Sequence, residues 1–187
     1  MVDMSEAVAS SAASDEQAGA AASRPGAQGA SSVRVSDEGA VEAWFAKAHP
    51  LPQQAMSEWA RHGVALLPLG VRFDAVRVPA GRIHDAVGSA EPATVAEALA
   101  LWLHGPVIRA ARTGSGFYYV LVAPDAPWRG AQDRLGSGTY LAVPRIGRPV
   151  SPVTYWAVPP PRRGALCDPA SLVALLAITP SLGTEDR

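Results

Sequence analysis

From residue 106 to residue 161, glycine and proline cut the chain into runs too short to be helices. Gly114-Ser115-Gly116 leads into the aromatic and β-branched run 117–122, Gly136-Ser137-Gly138 leads into 139–143, and the triple proline Pro159-Pro160-Pro161 ends 153–158. Each run has the length and composition of a strand. Strands this short bury little by themselves and need a sheet that something else covers.

The remaining segments supply the cover. Ser36-Asp37-Glu38 offers a cap and two acids ahead of Val41, Trp44, Phe45 and Ala48 at helical spacing, and Pro50 stops that helix. A second helix, 52–62, presents Met56 and Trp59 on one face and ends at Gly63, before the apolar run 64–67. Residues 73–78 alternate, with Phe73, Ala75 and Arg77 on one face and Asp74, Val76 and Val78 on the other. Pro79 closes this strand and starts a helix through Ile83 and Val87. The clearest helix is 91–104, with Val95, Leu99, Leu101 and Trp102 available for burial and Gly105 as its cap; 107–108 then form a short buried strand. Asp168 and Pro169 supply an N-cap and a first-turn proline for a last helix through Leu172, Leu175 and Leu176. The pattern predicts a mixed α/β (α+β) domain, a central sheet that is mainly antiparallel or mixed, with flanking helices.

Residues 1–35 are mostly Ala, Ser, Gly, Gln and Asp with almost no large apolar side chains, and cannot bury enough surface to offset the entropy of ordering. They are expected to be a disordered tail in front of one domain, residues 36–187. The tail lacks the basic start and apolar run of a secretory signal, and nothing later approaches the ~18 apolar residues of a membrane span. The single cysteine, Cys167, has no second thiol for a disulfide or a zinc site. The expectation is a cytoplasmic protein with no membrane partner.

Residues 1–38 hold six acids and two bases, which leaves eleven acids against fourteen bases in the rest, near +3. That is mild for a dedicated duplex-DNA binder. Only Lys47 among the sixteen bases is a lysine, which with the abundant Ala, Gly and Pro reflects GC-rich, bacterial-type codon usage more than selection for phosphate contacts. No nucleophile elbow, Walker loop or zinc-protease helix occurs. His49, His62, His84 and His104 stand singly and read as helix-end or surface residues. Trp128 lies in the polar loop 125–134, where an exposed indole would favour a protein partner.

One order of pieces stands out over residues 63–160: Phe73-Asp74-Ala75-Val76, then helices, then Gly114-Ser115-Gly116 feeding Phe117-Tyr118-Tyr119-Val120-Leu121-Val122-Ala123-Pro124, then Gly138-Thr139-Tyr140-Leu141-Ala142-Val143-Pro144, then Thr154-Tyr155-Trp156. It resembles the N-terminal domain of bifunctional DNA primase/polymerases (Prim-Pol), within the archaeo-eukaryotic primase superfamily. Members that polymerise carry a D-x-D pair on one strand, whose two carboxylates point the same way and hold divalent metals. Here the strand has Asp74 alone, no histidine follows Ser115, and no acid stands between Thr139 and Val158.

The resemblance therefore implies a catalytically degenerate primase/polymerase-like domain that binds nucleic acid or a nucleotide without polymerising. It implies no cofactor beyond weak magnesium at Asp74, and Asp74 would be catalytic only if activity survived. Candidate contacts to a single strand or nucleotide are Arg109, Arg112, Ser115, Tyr118, Arg145, Arg148, Tyr155 and Trp156. Two alternatives stand beside this reading. One is a non-enzymatic protein-interaction or regulatory module. The other is a surviving metal-dependent nucleotidyltransferase in which Asp85 or Asp133 converges on Asp74.

Overall fold

The computed structural model describes residues 27–112, 115–147 and 151–178, and the side chains of 27–36, Arg112 and Ser115 lie outside that description. Residues 1–26, most of the expected tail, also lie outside it. Helix α1 (Ala27–Ala46) begins nine residues before the predicted Ser36 cap. Val41, Phe45 and Ala46 are buried near its end, and a helix anchored there extends backwards through Ala and Gln at little cost.

Helix α2 (Pro52–His62) starts on Pro52 and ends at Gly63, which takes φ 69° and donates its N–H to the Trp59 carbonyl. Strands β1 (Val64–Pro68) and β2 (Asp74–Pro79) follow, then helices α3 (Ala80–Val87) and α4 (Pro92–Leu103). α4 buries Val95, Leu99 and Leu103. That i, i+4, i+8 stripe turns the expected core residues Leu101 and Trp102 outwards, at 73% and 43% exposure. The α4 cap is His104, at φ 50°, and not Gly105. Gly105 instead permits a close approach of two backbones, since a Cβ there would meet the Cys167 backbone nitrogen at 2.6 Å.

Strand β3 (Val107–Arg112) is longer than expected because its whole length pairs with β4 (Ser115–Val122). Strands β5 (Asp133–Leu135), β6 (Tyr140–Pro144) and β7 (Thr154–Val158) and helix α5 (Pro169–Ala177) complete the chain. Asp168 caps α5 as predicted, accepting from the N–H groups of Ala170 and Ser171.

The main sheet has the order β5-β2-β4-β3-β7, and every neighbouring pair is antiparallel. β1 and β6 form a separate antiparallel pair with Leu67 opposite Leu141. The mixed α+β class with a mainly antiparallel sheet is as the sequence predicts. On one face of the sheet Val76, Val78, Val120 and Val122 pack with Ile83 of α3, Leu99 of α4 and Leu172 of α5. On the other, Phe73, Ala75, Ile108 and Leu121 pack with Phe45 of α1, Trp59 of α2 and the β1–β6 pair. Two indoles fix that pair in place: Trp59 donates to the Val143 carbonyl at 2.9 Å, and Trp156 donates to the Pro144 carbonyl at 3.0 Å.

Asp74 is the one aspartate in the buried core of the described residues, at 5% exposure, and so is no surface acid. Arg134 of β5 holds it. Nε donates to Oδ2 at 2.9 Å, Nη2 lies 2.8 Å from the same oxygen, and the guanidinium also donates to the carbonyls of Ala123, Pro124 and Ala126. One side chain thus ties the 123–132 loop and the three-residue β5 to the sheet. Removing either partner of such a pair leaves a buried charge unmatched. Arg134→Ala is expected to lower unfolding stability by about 3–5 kcal/mol in urea titrations. Asp74→Ala is also expected to destabilise, and the double variant should lose less than the sum of the two.

Candidate functional site

A concave surface of the domain lies between the main sheet and the β1–β6 pair, an open cleft of about 520 Å³. Its lining is largely aromatic and aliphatic: Phe117 and Tyr119 from β4, Ile108 from β3, Leu66 from β1 and Tyr140 from β6, with Arg77 of β2 as its one charged side chain among the described residues. Strand alternation puts these residues together. Phe117 and Tyr119 point away from the helix-facing Tyr118 and Val120, and Arg77 shares the face of Ala75.

Arg77 stacks its guanidinium 5.1 Å from the centre of the Phe117 ring and pairs with Asp133 at 2.5 Å. Both ionic side chains are well exposed, 39% and 65%, so their pairing contributes little stability and can be exchanged for a ligand anion. Tyr140 is 63% exposed at the mouth. An aromatic surface with one exchangeable cation can take a flat ring and one negative group.

The eight contacts expected from the sequence do not form one surface. Arg109, Tyr118 and Tyr155 lie on the helix-facing side: Arg109 is opposite both Tyr118 and Tyr155 in the strand register, and Tyr118 belongs to the helix-side core. Trp156 faces the other way, packs on the core of the β1–β6 side and spends its N–H on Pro144. Arg145 donates to Glu42 of α1 at 3.2 Å, which makes it a link between α1 and the end of β6. Arg112 and Ser115 pair as the last register of β3 and β4, with side chains outside the described residues, and Arg148 lies outside them altogether. The cleft residues Arg77, Tyr119 and Tyr140 were not among the eight. The signal for them was the alternation within 117–122, which separates Phe117 and Tyr119 from Tyr118.

Other expectations are corrected by position. Trp128 is half-buried, packs against the helix-side core and donates to the Gln132 carbonyl at 2.8 Å, so it closes its own loop and offers no exposed indole. His84 stands in the last turn of α3, as the helix-end reading expects, and it also reaches the core-side Tyr118, with Nε2 3.3 Å from the hydroxyl. Asp133 does not converge on Asp74, because Asp133 and Arg134 are successive residues of β5 that point to opposite faces. Asp85 is exposed on α3. Among the described residues no three His, Cys, Asp or Glu side chains come together; Arg134 engages Oδ2 of Asp74, and Oδ1 has no protein partner there.

Burial pushes the Cys167 thiol up to about 12, with an opposing hydrogen bond from the Leu121 backbone. It is therefore protonated and shielded at neutral pH. The described residues contain no helix long and apolar enough to cross a membrane. Comparison with protein-family models, with curated proteins and with solved structures gave no match.

Arg77→Ala is expected to change unfolding stability by no more than about 1 kcal/mol, as for exposed pairs generally. A urea titration checks this, and it licenses the variant as a probe of binding. Cys167 is expected to react with a thiol reagent only in denaturant, and stoichiometric labelling of the native protein would contradict its burial.

Proposed function

We propose that this domain is a catalytically degenerate primase/polymerase-like module that binds single-stranded nucleic acid or a nucleotide without polymerising, and that the cleft is its binding surface. The observation that carries the reading is the cleft itself, an open aromatic surface with Arg77 stacked on Phe117. Bases stack on such rings whatever their identity, and a guanidinium held on an aromatic face can meet the phosphate that follows.

The inactive half of the proposal rests on Asp74. At the strand where the resemblance expects a metal-binding pair, the single acid is engaged by Arg134, and the nearest candidate partner, Asp133, serves Arg77 on the opposite face. A protein-interaction role is the second reading, favoured by Leu101 and Trp102, which stand exposed side by side on α4.

The test is binding of fluorescent single-stranded DNA across a salt series, with and without magnesium and nucleoside triphosphates. Micromolar binding is expected, with a loss of about 1–3 kcal/mol in Tyr140→Ala and a flatter salt dependence in Arg77→Ala. Primer extension would overturn the inactive half. Absence of binding at low salt would move the assignment to the interaction surface on α4.

A further inference from the structure

On the sheet face opposite the cleft, side chains from three elements gather around Tyr118 of β4. The Arg109 guanidinium of β3 lies 4.8 Å from the ring centre. His84 of α3 stands edge-on to the same ring at 5.9 Å, with Nε2 3.3 Å from the hydroxyl. Tyr155 of β7 occupies the register position beside Arg109 on that face.

Arg109 is held in advance of any ligand. Its Nη1 donates to the backbone carbonyls of Ala110 at 2.7 Å and Phe117 at 3.3 Å. The guanidinium also passes where Gly116 has no side chain, since a Cβ there would lie 2.3 Å from Nη1. No carboxylate of the described residues forms a salt bridge with Arg109, and its backbone hydrogen bonds use Nη1 alone, with the Tyr118 hydroxyl as a further partner of the guanidinium. The cluster is thus rich in donors, carries one permanent charge and holds no acid in direct contact. The remaining guanidinium N–H groups match the oxygens of phosphate, and the hydrogen-bonded Tyr118–His84 pair can supply one further donor when Nε2–H donates to the hydroxyl.

We propose that Arg109, His84 and the Tyr118 hydroxyl form a phosphate-binding site, separate from the cleft and on the other face of the sheet. The groups that act on His84 are identifiable. Desolvation, and then Arg109, hold its pKa below the ordinary 6.5, while Asp85 acts the other way. Burial raises the Tyr118 phenol, which stays a neutral donor. Of the other elements packed on α3, α5 carries no ionisable side chain, α4 carries only the exposed Glu97, and Asp74 of β2 is bound to Arg134. A bound phosphate adds negative charge beside the imidazole and opposes the lowering of its pKa.

The experiment is a phosphate titration of the whole chain, followed by the His84 imidazole resonances and by calorimetry. Inorganic phosphate is expected to move those resonances saturably and to raise the His84 titration midpoint. Arg109→Gln should weaken phosphate binding at least tenfold, Arg109→Lys should restore part of it, and His84→Gln should weaken it mainly at low pH. A parallel titration with a deoxynucleoside monophosphate separates the sources: equal affinity assigns the site to the phosphate group alone, and tighter binding adds the base. No saturable shift with either probe, or an unchanged affinity in a folded Arg109→Gln, would overturn the proposal. Single-stranded DNA binding lost in Tyr140→Ala but kept in Arg109→Gln would test the cleft independently.

Discussion

Strand β4 buries both of its faces, and this constraint distributes everything else in the domain. Val120 and Val122 point to the helices and Leu121 to the β1–β6 pair, all fully buried. A strand apolar on both sides needs a cover on both sides. The chain meets this with α3, α4 and α5 on one face and with α1, α2 and the β1–β6 pair on the other. The middle of β4 is therefore apolar on both faces. Polar and aromatic groups stand towards its ends, Asp74 beside Val122 at one, and at the other Phe117 and Tyr119 towards the cleft and Tyr118 towards the helices.

The Asp74–Arg134 pair follows from the same layering. An acid on the helix-facing side of a central strand cannot stay charged there without a partner, since desolvation of a carboxylate costs several kcal/mol. A divalent metal is one solution and a guanidinium is another. This chain uses the guanidinium, and Arg134 then satisfies three loop carbonyls that would otherwise need water. Asp74 Oδ1 still has no protein partner among the described residues. Through Arg134, Asp74 anchors the 123–132 loop, and a substitution at Asp74 is read first as a change in folding.

Much of the fold was legible because local chemistry and tertiary packing agree. The two faces of residues 73–78, the Gly63 terminus of α2 and the Asp168 cap of α5 all follow from backbone geometry and period. The failures have physical causes. Leu101 and Trp102 are apolar, yet the α4 stripe is set by Val95, Leu99 and Leu103. β5 has no hydrophobic period, because pairing with β2 and the reach of Arg134 hold it in the sheet. The candidate contacts were chosen by residue type, and type is silent about which face of a strand a side chain occupies. Arg109, Tyr118 and Tyr155 came together because their register aligns them, while Arg145 and Trp156 were consumed by Glu42 and Pro144.

The charge of the cleft limits the nucleic-acid binding proposed for it. With one arginine in its lining, it can release about one counterion, which for a single strand gives a salt slope near −0.7. Most of the affinity must then come from stacking, at about 1–3 kcal/mol for each base accommodated. A cleft of about 520 Å³ has room for a nucleotide or a short turn of single strand, but not for a long footprint. Duplex DNA fits poorly, since its bases are already stacked and its phosphates would find one cation. Arg109 cannot supplement Arg77 for the same nucleotide, because the sheet lies between them. Under the proposed reading the two arginines would therefore address separate ligands.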